Sequence, residues 1–213
     1  YEGTGNANDT IATGLDTPVD FYIVKSLDNT GNWNVASKAM GLQYSLILNT
    51  NSDKGSPSTD YWNSTDPTNT LLSIGTADSV NGDGWNFILY AWANRPGLQR
   101  FGSYEGNGSA SDGVFVYLGF RPALLITKKI SSTSNWIMWD KERSPYNVAN
   151  NYLYVNSGDG QSTDGTNGVD FLSNGFKMYN NYTDANNDDS DYIYCAWADS
   201  PFHNLYGGEA NAR

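Results

Sequence analysis

The stretch FYIVKSLDNTGNWNVAS, Phe21 to Ser37, decides how the rest of the chain is read. Its ends, FYIVK and WNVAS, are short runs of aromatic and β-branched residues, which suit a pleated, half-buried surface. Between them stand Ser, Asp, Asn, Thr and Gly, residues that bond their own backbone or accept positive φ. Two such runs about a polar turn read as a β-hairpin. The arrangement returns in LLITKKISSTSNWIMWDK, Leu124 to Lys141. There STSNW answers NTGNW, with Trp136 standing 103 residues after Trp33 and Lys128 the same distance after Lys25.

The echo extends in both directions. YEGTGNAND (Tyr1 to Asp9) recurs as YEGNGSASD (Tyr104 to Asp112). LLSIG (Leu71 to Gly75) recurs as FLSNG (Phe171 to Gly175), and YAWAN (Tyr90 to Asn94) as CAWAD (Cys195 to Asp199). Anchors in one order at a spacing of roughly 100 residues mark an internal repeat. The expected units are 1–100 and 101–213, the second ending in a C-terminal tail. Further strand-like runs are TIATGL, VFVYLGF, YSLILN, NYLYVN, WNFILYAWA and DYIYCAWA. No segment has a sustained helical period with caps. The expected fold is all-β, two tandem homologous β-sandwich units, each with its own strand set; one larger jelly roll is the alternative. The repeated phrase then marks where a unit begins. Gly3 with Gly5, and Gly106 with Gly108, are expected to form a tight turn into the first strand of each unit.

Composition narrows the partners. The 213 residues hold 12 Lys+Arg against 23 Asp+Glu, a net charge of −11. That argues against nucleic acid and anionic membrane surfaces, which need basic patches. Aromatic residues make up 14 %, too many for a disordered chain. A single cysteine, Cys195, permits no intrachain disulfide. No run approaches the length of a membrane span, so membrane insertion is not expected. The chain starts at Tyr1, inside a repeated phrase and without Met, which reads as part of something longer.

The second unit carries the more distinctive text: FGSYEGNGSASDGVFVYLGFRPALLITKK, NWIMWDKERSPYN, VDFLSNGFKMY and YIYCAWADSPF, with NAR at the end. With WNSTDPT (Trp62 to Thr68) in the first, these motifs resemble a C-terminal β-domain of tailed-bacteriophage virion proteins of the marine-phage type. Those proteins are often described as tail-fibre or lectin-like (concanavalin A-like). Pro201–Phe202 and Ala212–Arg213 match that family's ending. The resemblance covers nearly the whole chain. It implies a lectin- or jelly-roll-like sandwich, an extracellular place on the virion, other virion proteins as neighbours, and a homo-oligomer, a trimer in fibres of this kind. It brings no catalytic residues.

Candidate sites follow from the residues. Trp33 with Trp136, and Trp92 with Trp197, hold equivalent places and are expected in the core. Trp62, Trp85 and Trp139 have no Trp counterpart in the other repeat. Together with Tyr61 they are the candidate ligand-binding residues, because sugar rings stack on aromatic faces while nearby Asp and Asn bind hydroxyls. In DANNDDSD, Asp184, Asn186 and Asp188 offer oxygens at alternate positions, as a Ca²⁺ loop does, though without an EF-hand's Gly and distal Glu. Asp78, Asn81 and Asp83 are the looser counterpart, and the loop Ser157 to Asp170 could add ligands. The reading beside it is that of Asp/Asn turns bonding their own backbone. Asp140 and Arg143 are expected to form an ion pair.

No enzyme pattern emerges, so no catalytic residues are assigned. The four Glu residues (Glu2, Glu105, Glu142, Glu209) are scattered, leaving no close carboxylate pair for a glycosidase. The only His, His203, has no G-x-S-x-G elbow to serve. Cys195, mid-strand, reads as a small buried residue. The expected function is a non-enzymatic virion appendage, a tail-fibre module that attaches to host cell-surface glycan. Two alternatives stand beside it: a capsid or tail decoration without receptor binding, and a carbohydrate-binding module of a larger secreted enzyme.

Overall fold

A computed structural model describes residues 1–163 and 168–200. The expected tail, with Pro201, Phe202, His203, Ala212 and Arg213, lies outside the described residues, as does part of the acidic loop Ser157 to Asp170. The chain divides into two compact units, one from Tyr1 to Asn94 and one from Arg95 onward.

The first unit contains β1 (Asp9–Ala12), β2 (Phe21–Ser26), β3 (Asn34–Ser37), β4 (Leu46–Ile47), β5 (Leu71–Ile74), the single turn α1 (Asp78–Asn81) and β6 (Phe87–Trp92). The stretch that opened the reading is the β2–β3 hairpin, antiparallel with Phe21 opposite Ser37 and Val24 opposite Asn34. It belongs to a four-stranded sheet of order β4-β3-β2-β6, while β1 and β5 pair as a two-stranded sheet. Alternation then sorts the side chains by face. Tyr22 and Val24 of β2, Leu72 and Ile74 of β5 and Phe87 of β6 meet in one buried cluster with Trp62 and Val80.

The second unit contains β7 (Gln99–Gly106), β8 (Phe115–Tyr117), β9 (Pro122–Lys129), β10 (Trp136–Asp140), β11 (Asn151–Tyr154), β12 (Ser162–Thr163), β13 (Gly168–Leu172), β14 (Gly175–Tyr179) and β15 (Ser190–Ala198). A six-stranded sheet, β12-β11-β10-β9-β15-β7, and a three-stranded sheet, β13-β14-β8, share one core. Leu125, Trp139 and Tyr192 from the larger sheet pack with Phe171, Phe176 and Met178 from the smaller. The second hairpin is β9–β10, Lys128 opposite Trp136. All the strand pairings are antiparallel and each unit is sandwich-like, so the class is all-β. The expected 100/101 junction falls in the opening of β7, which pairs along its whole length with β15.

The repeated phrase does something other than turn. Its first half runs as extended chain: Tyr104 to Gly106 end β7, and Glu2 bridges Asn86. A Cβ on Gly3 would lie 2.8 Å from Asn81 C, and one on Gly106 3.0 Å from Asn186 C, each with a backbone carbonyl closer still. Those two glycines are therefore set by close approach. Only Gly5 (φ 70°) and Gly108 (φ 61°) need the left-handed region. The second half of each phrase wraps a buried asparagine. Asn81 donates through Nδ2 to Asn6 O (3.0 Å), Gly75 O (2.9 Å) and Asp9 Oδ2 (3.1 Å), while its Oδ1 accepts from Thr4 N–H (3.0 Å). Asn186 donates to Ser109 O (3.2 Å), Asn180 O (2.7 Å) and Asn107 Oδ1 (3.1 Å), and accepts from Asn107 N–H (3.1 Å). Both side chains are fully buried.

Candidate functional site on the outer face of the smaller sheet

The residues singled out as ligand contacts do not form one surface. Trp62 is wholly buried, its ring edge-on to Tyr22 with centroids 4.9 Å apart, so it is a core residue. Trp139 is likewise wholly buried beside Tyr152. Neither is a surface platform. The polar loop around Trp62 turns its one large ring inward, where burial of so much apolar area contributes most. Tyr61 and Trp85 are half-buried against the same first-unit core. A Cβ on Gly82 would meet the Trp85 ring at 2.6 Å, so that ring lies down on the backbone.

Of the two readings of DANNDDSD, the hydrogen bonds favour turns that bond their own fold. Asn186 spends its carboxamide on the clasp just described. Asp184 is buried and accepts from Ser134 Oγ at 2.7 Å and Asn135 Nδ2 at 3.1 Å. Asp188 stands exposed beside Gly108. No cluster of three acidic, His or Cys side chains that could hold a metal occurs among the described residues. Asn81 spends its carboxamide in the same way. Cys195 is buried, and burial pushes its thiol well above the ordinary range. Arg143 Nε lies 2.8 Å from Asp140 Oδ2, with Asp140 Oδ1 accepting from the Arg143 backbone N–H at 2.8 Å.

The repeat-equivalent tryptophans divide. Trp136 is buried as expected. Trp33, Trp92 and Trp197 are only half-buried, and the first two sandwich Tyr90 in a stacked row, with centroids 6.2 and 6.3 Å apart. Rings stacked this way cover one another's faces.

A pair of open aromatic side chains lies on the second unit's three-stranded sheet. Val116 of β8 packs against the core while Phe115 and Tyr117 point away from it, 46 % and 59 % exposed. Across the ladder, Phe115 stands opposite Lys177 and Tyr117 opposite Gly175. Lys177 in turn stands opposite Asp170 on β13. Gly175 leaves room for the Phe115 ring, which lies 3.2 Å from where a Cβ would be. Lys177 Nζ donates to Asp112 Oδ1 at 2.7 Å and sits 5.7 Å from the Tyr179 ring centroid. The hydrogen bond raises the Lys177 pKa and lowers that of Asp112. Asp170 differs: burial raises its pKa despite Lys177, and its Oδ1 is buried without a hydrogen-bond partner among the described residues. Two open rings, two carboxylates and an ammonium thus share one sheet face. Such a face can stack on an apolar ring surface and hydrogen-bond polar groups at its rim.

Sequence reasoning passed over Phe115 and Tyr117. The signal was present in VFVY, where aromatic and aliphatic residues alternate and a strand must turn one set outward. The chain belongs to a family described as a domain of unknown function (DUF7483), whose model matches residues 1–201. No curated protein and no solved structure matches the chain.

Proposed function

We propose that this chain is a non-enzymatic adhesion module of a tailed-phage virion appendage, built from two copies of one lectin-like sandwich. The face bearing Phe115, Tyr117, Asp112, Asp170 and Lys177 contacts host-surface glycan. The observation that carries the reading is the exposure of Phe115 and Tyr117 beside charged groups that pair or stand ready to pair. Exposed rings bring apolar area to a sugar's C–H face, and the carboxylates accept from its hydroxyls. The virion setting rests on the sequence resemblance. One such contact is weak, and trimerisation in a fibre raises avidity by ~10²–10⁴-fold through multivalency alone.

The test is a glycan array probed with the full chain, followed by Tyr117→Ala and Phe115→Ala. Binding is expected to fall about two- to tenfold in each variant with thermal stability kept, since a ring contact contributes roughly 0.5–1.5 kcal/mol. Chelating Ca²⁺ is expected to change nothing, because Asp184 and Asn186 are occupied within the fold. Absence of glycan binding, or release of sugar from a bound glycan, overturns the reading.

A further inference from the structure

The outer face of the three-stranded sheet carries more acid than base. By alternation Phe115 and Tyr117 of β8, Lys177 and Tyr179 of β14 and Asp170 of β13 share it. Val116, Phe176, Met178 and Val169 turn to the core instead. Each open ring stands beside a glycine. Phe115 Cε2 is 3.2 Å from where a Cβ on Gly175 would be, and the Tyr117 hydroxyl oxygen 3.5 Å from where one on Gly119 would be. Neither glycine adds a side chain that would cover the ring.

This face already holds one ammonium. Lys177 Nζ lies 2.7 Å from Asp112 Oδ1 and 5.7 Å from the Tyr179 ring centroid. A carboxylate and an aromatic ring are the two kinds of group that favour a cation at a partly open site. More of both stand around it. The Asp112 side chain is 89 % exposed, and Lys177 occupies its Oδ1 alone. Asp170 stands opposite Lys177, with its Oδ1 unpartnered among the described residues. Phe115 and Tyr117 are the open rings. Two carboxylates therefore face one ammonium, on a chain of net charge −11.

That balance discriminates among sugars. A uronate would meet two carboxylates and one ammonium that is already engaged. A neutral sugar would use the rings and leave the surplus negative charge unmatched. A protonated amino sugar satisfies both features, since its ring has an apolar face and its ammonium is a donor of the right sign.

We infer that the glycan taken by this face carries free amino groups. A sugar ring stacks on Phe115 and Tyr117, its ammonium pairs with the open oxygen of Asp112, and Asp170 adds its charge from across β14. The inference rests on the glycan-binding reading and narrows it to one class of sugar.

The test is calorimetric titration of the full chain with three hexamers, of glucosamine, N-acetylglucosamine and glucuronic acid, at a pH where the amine is protonated. The glucosamine hexamer is expected to bind about three- to tenfold tighter than the acetylated one. The advantage shrinks at high salt, as it does for exposed charges, and the glucuronate hexamer binds weakest. Asp112→Asn is expected to remove most of the advantage. Asp53→Asn, which deletes the same charge from the first unit, is expected to keep it. Acetylated or glucuronate hexamers binding as well as the amine overturn the inference. So does an advantage that survives both Asp112→Asn and Asp170→Asn, which would mark general attraction to an acidic chain. Equal binding of the glucosamine and acetylated hexamers, both weakened by Tyr117→Ala, overturns the amine and leaves the glycan reading standing. If none of the three binds, the inference falls and the glycan array decides the broader reading.

Discussion

Asn81 and Asn186 perform one task in the two units: each is fully buried and each accepts through Oδ1 from the backbone N–H of a phrase residue, Thr4 or Asn107. Each also accepts through its backbone carbonyl from the phrase glycine at positive φ, Gly5 N–H at 2.8 Å and Gly108 N–H at 3.0 Å. The phrase is held to the body of its unit by a carboxamide that no other side chain of that size reproduces, because both donors and the acceptor are used.

Asn186→Asp is therefore expected to be more damaging than its shape suggests. It replaces an Nδ2 that donates to Ser109 O and Asn180 O with an oxygen facing those same carbonyls. A buried acceptor left unmatched costs about 1–3 kcal/mol, more for a charged group. Urea unfolding of the variant should show the second unit destabilised by at least about 2 kcal/mol, with the loss eased at low pH, where the carboxyl becomes a donor.

Gly106→Ala is expected to be among the worst single substitutions in the chain. The added Cβ would press on Asn187 O and lie 3.0 Å from Asn186 C and 3.1 Å from Tyr192 Cε2. Backbone on one side and a packed ring on the other cannot both give way, and overpacking of this kind costs about 1–3 kcal/mol or more. Gly158→Ala is the contrast, since nothing lies within 4 Å of its Cβ. Thermal melts of the two variants should separate clearly, with Gly158→Ala close to the parent.

The hairpins were legible because their signal is local: Phe21 to Ser37 carries both strands and the turn in one stretch. Burial of Trp62 was not legible. Tyr22, whose ring it meets edge-on, lies 40 residues away, and the loop that carries it is mostly polar. The two readings of Asn186 stayed open for a related reason. Alternating oxygens look alike in sequence whether they point at a cation or at their own backbone, and only the fold shows Asn107 and Ser109 closing on it. Gly3 and Gly106 read as turn residues because sequence does not distinguish a glycine chosen for φ from one chosen for proximity. The face of Phe115 and Tyr117 could have been found from alternation alone.

Trp62 gives a direct check on that correction. Trp62→Ala is expected to cost about 3–5 kcal/mol, the usual range for emptying a large aromatic site in a core. Trp62→Phe should cost much less, because the indole N–H is buried with no hydrogen-bond partner among the described residues, so its loss strands nothing. Chemical denaturation of both variants measures the gap. A small effect of Trp62→Ala on stability, with loss of ligand binding, would return the residue to the surface role expected from sequence.

Asp170 sets an unusual pH dependence. Burial raises its pKa in the folded chain above the ordinary carboxylate value, with Lys177 pulling the other way. Between the ordinary value and the raised one, the folded state holds more protons than the unfolded state. Stability contributed at this position therefore falls as pH rises through that interval. Asp112 acts with the opposite sign. Its pKa is lowered by the hydrogen bond from Lys177, so its contribution is present above the ordinary carboxylate value and lost as pH falls through the lowered one. Asp170→Asn removes the first effect and keeps the second. Calorimetric melting temperatures across the acidic range should show the variant at least as stable as the parent at neutral pH, with the difference shrinking as the parent's Asp170 takes up its proton. If Asp170→Asn instead melts lower at neutral pH, the ionised carboxylate is stabilising the sheet through Lys177, and the buried oxygen is not the dominant influence on that residue.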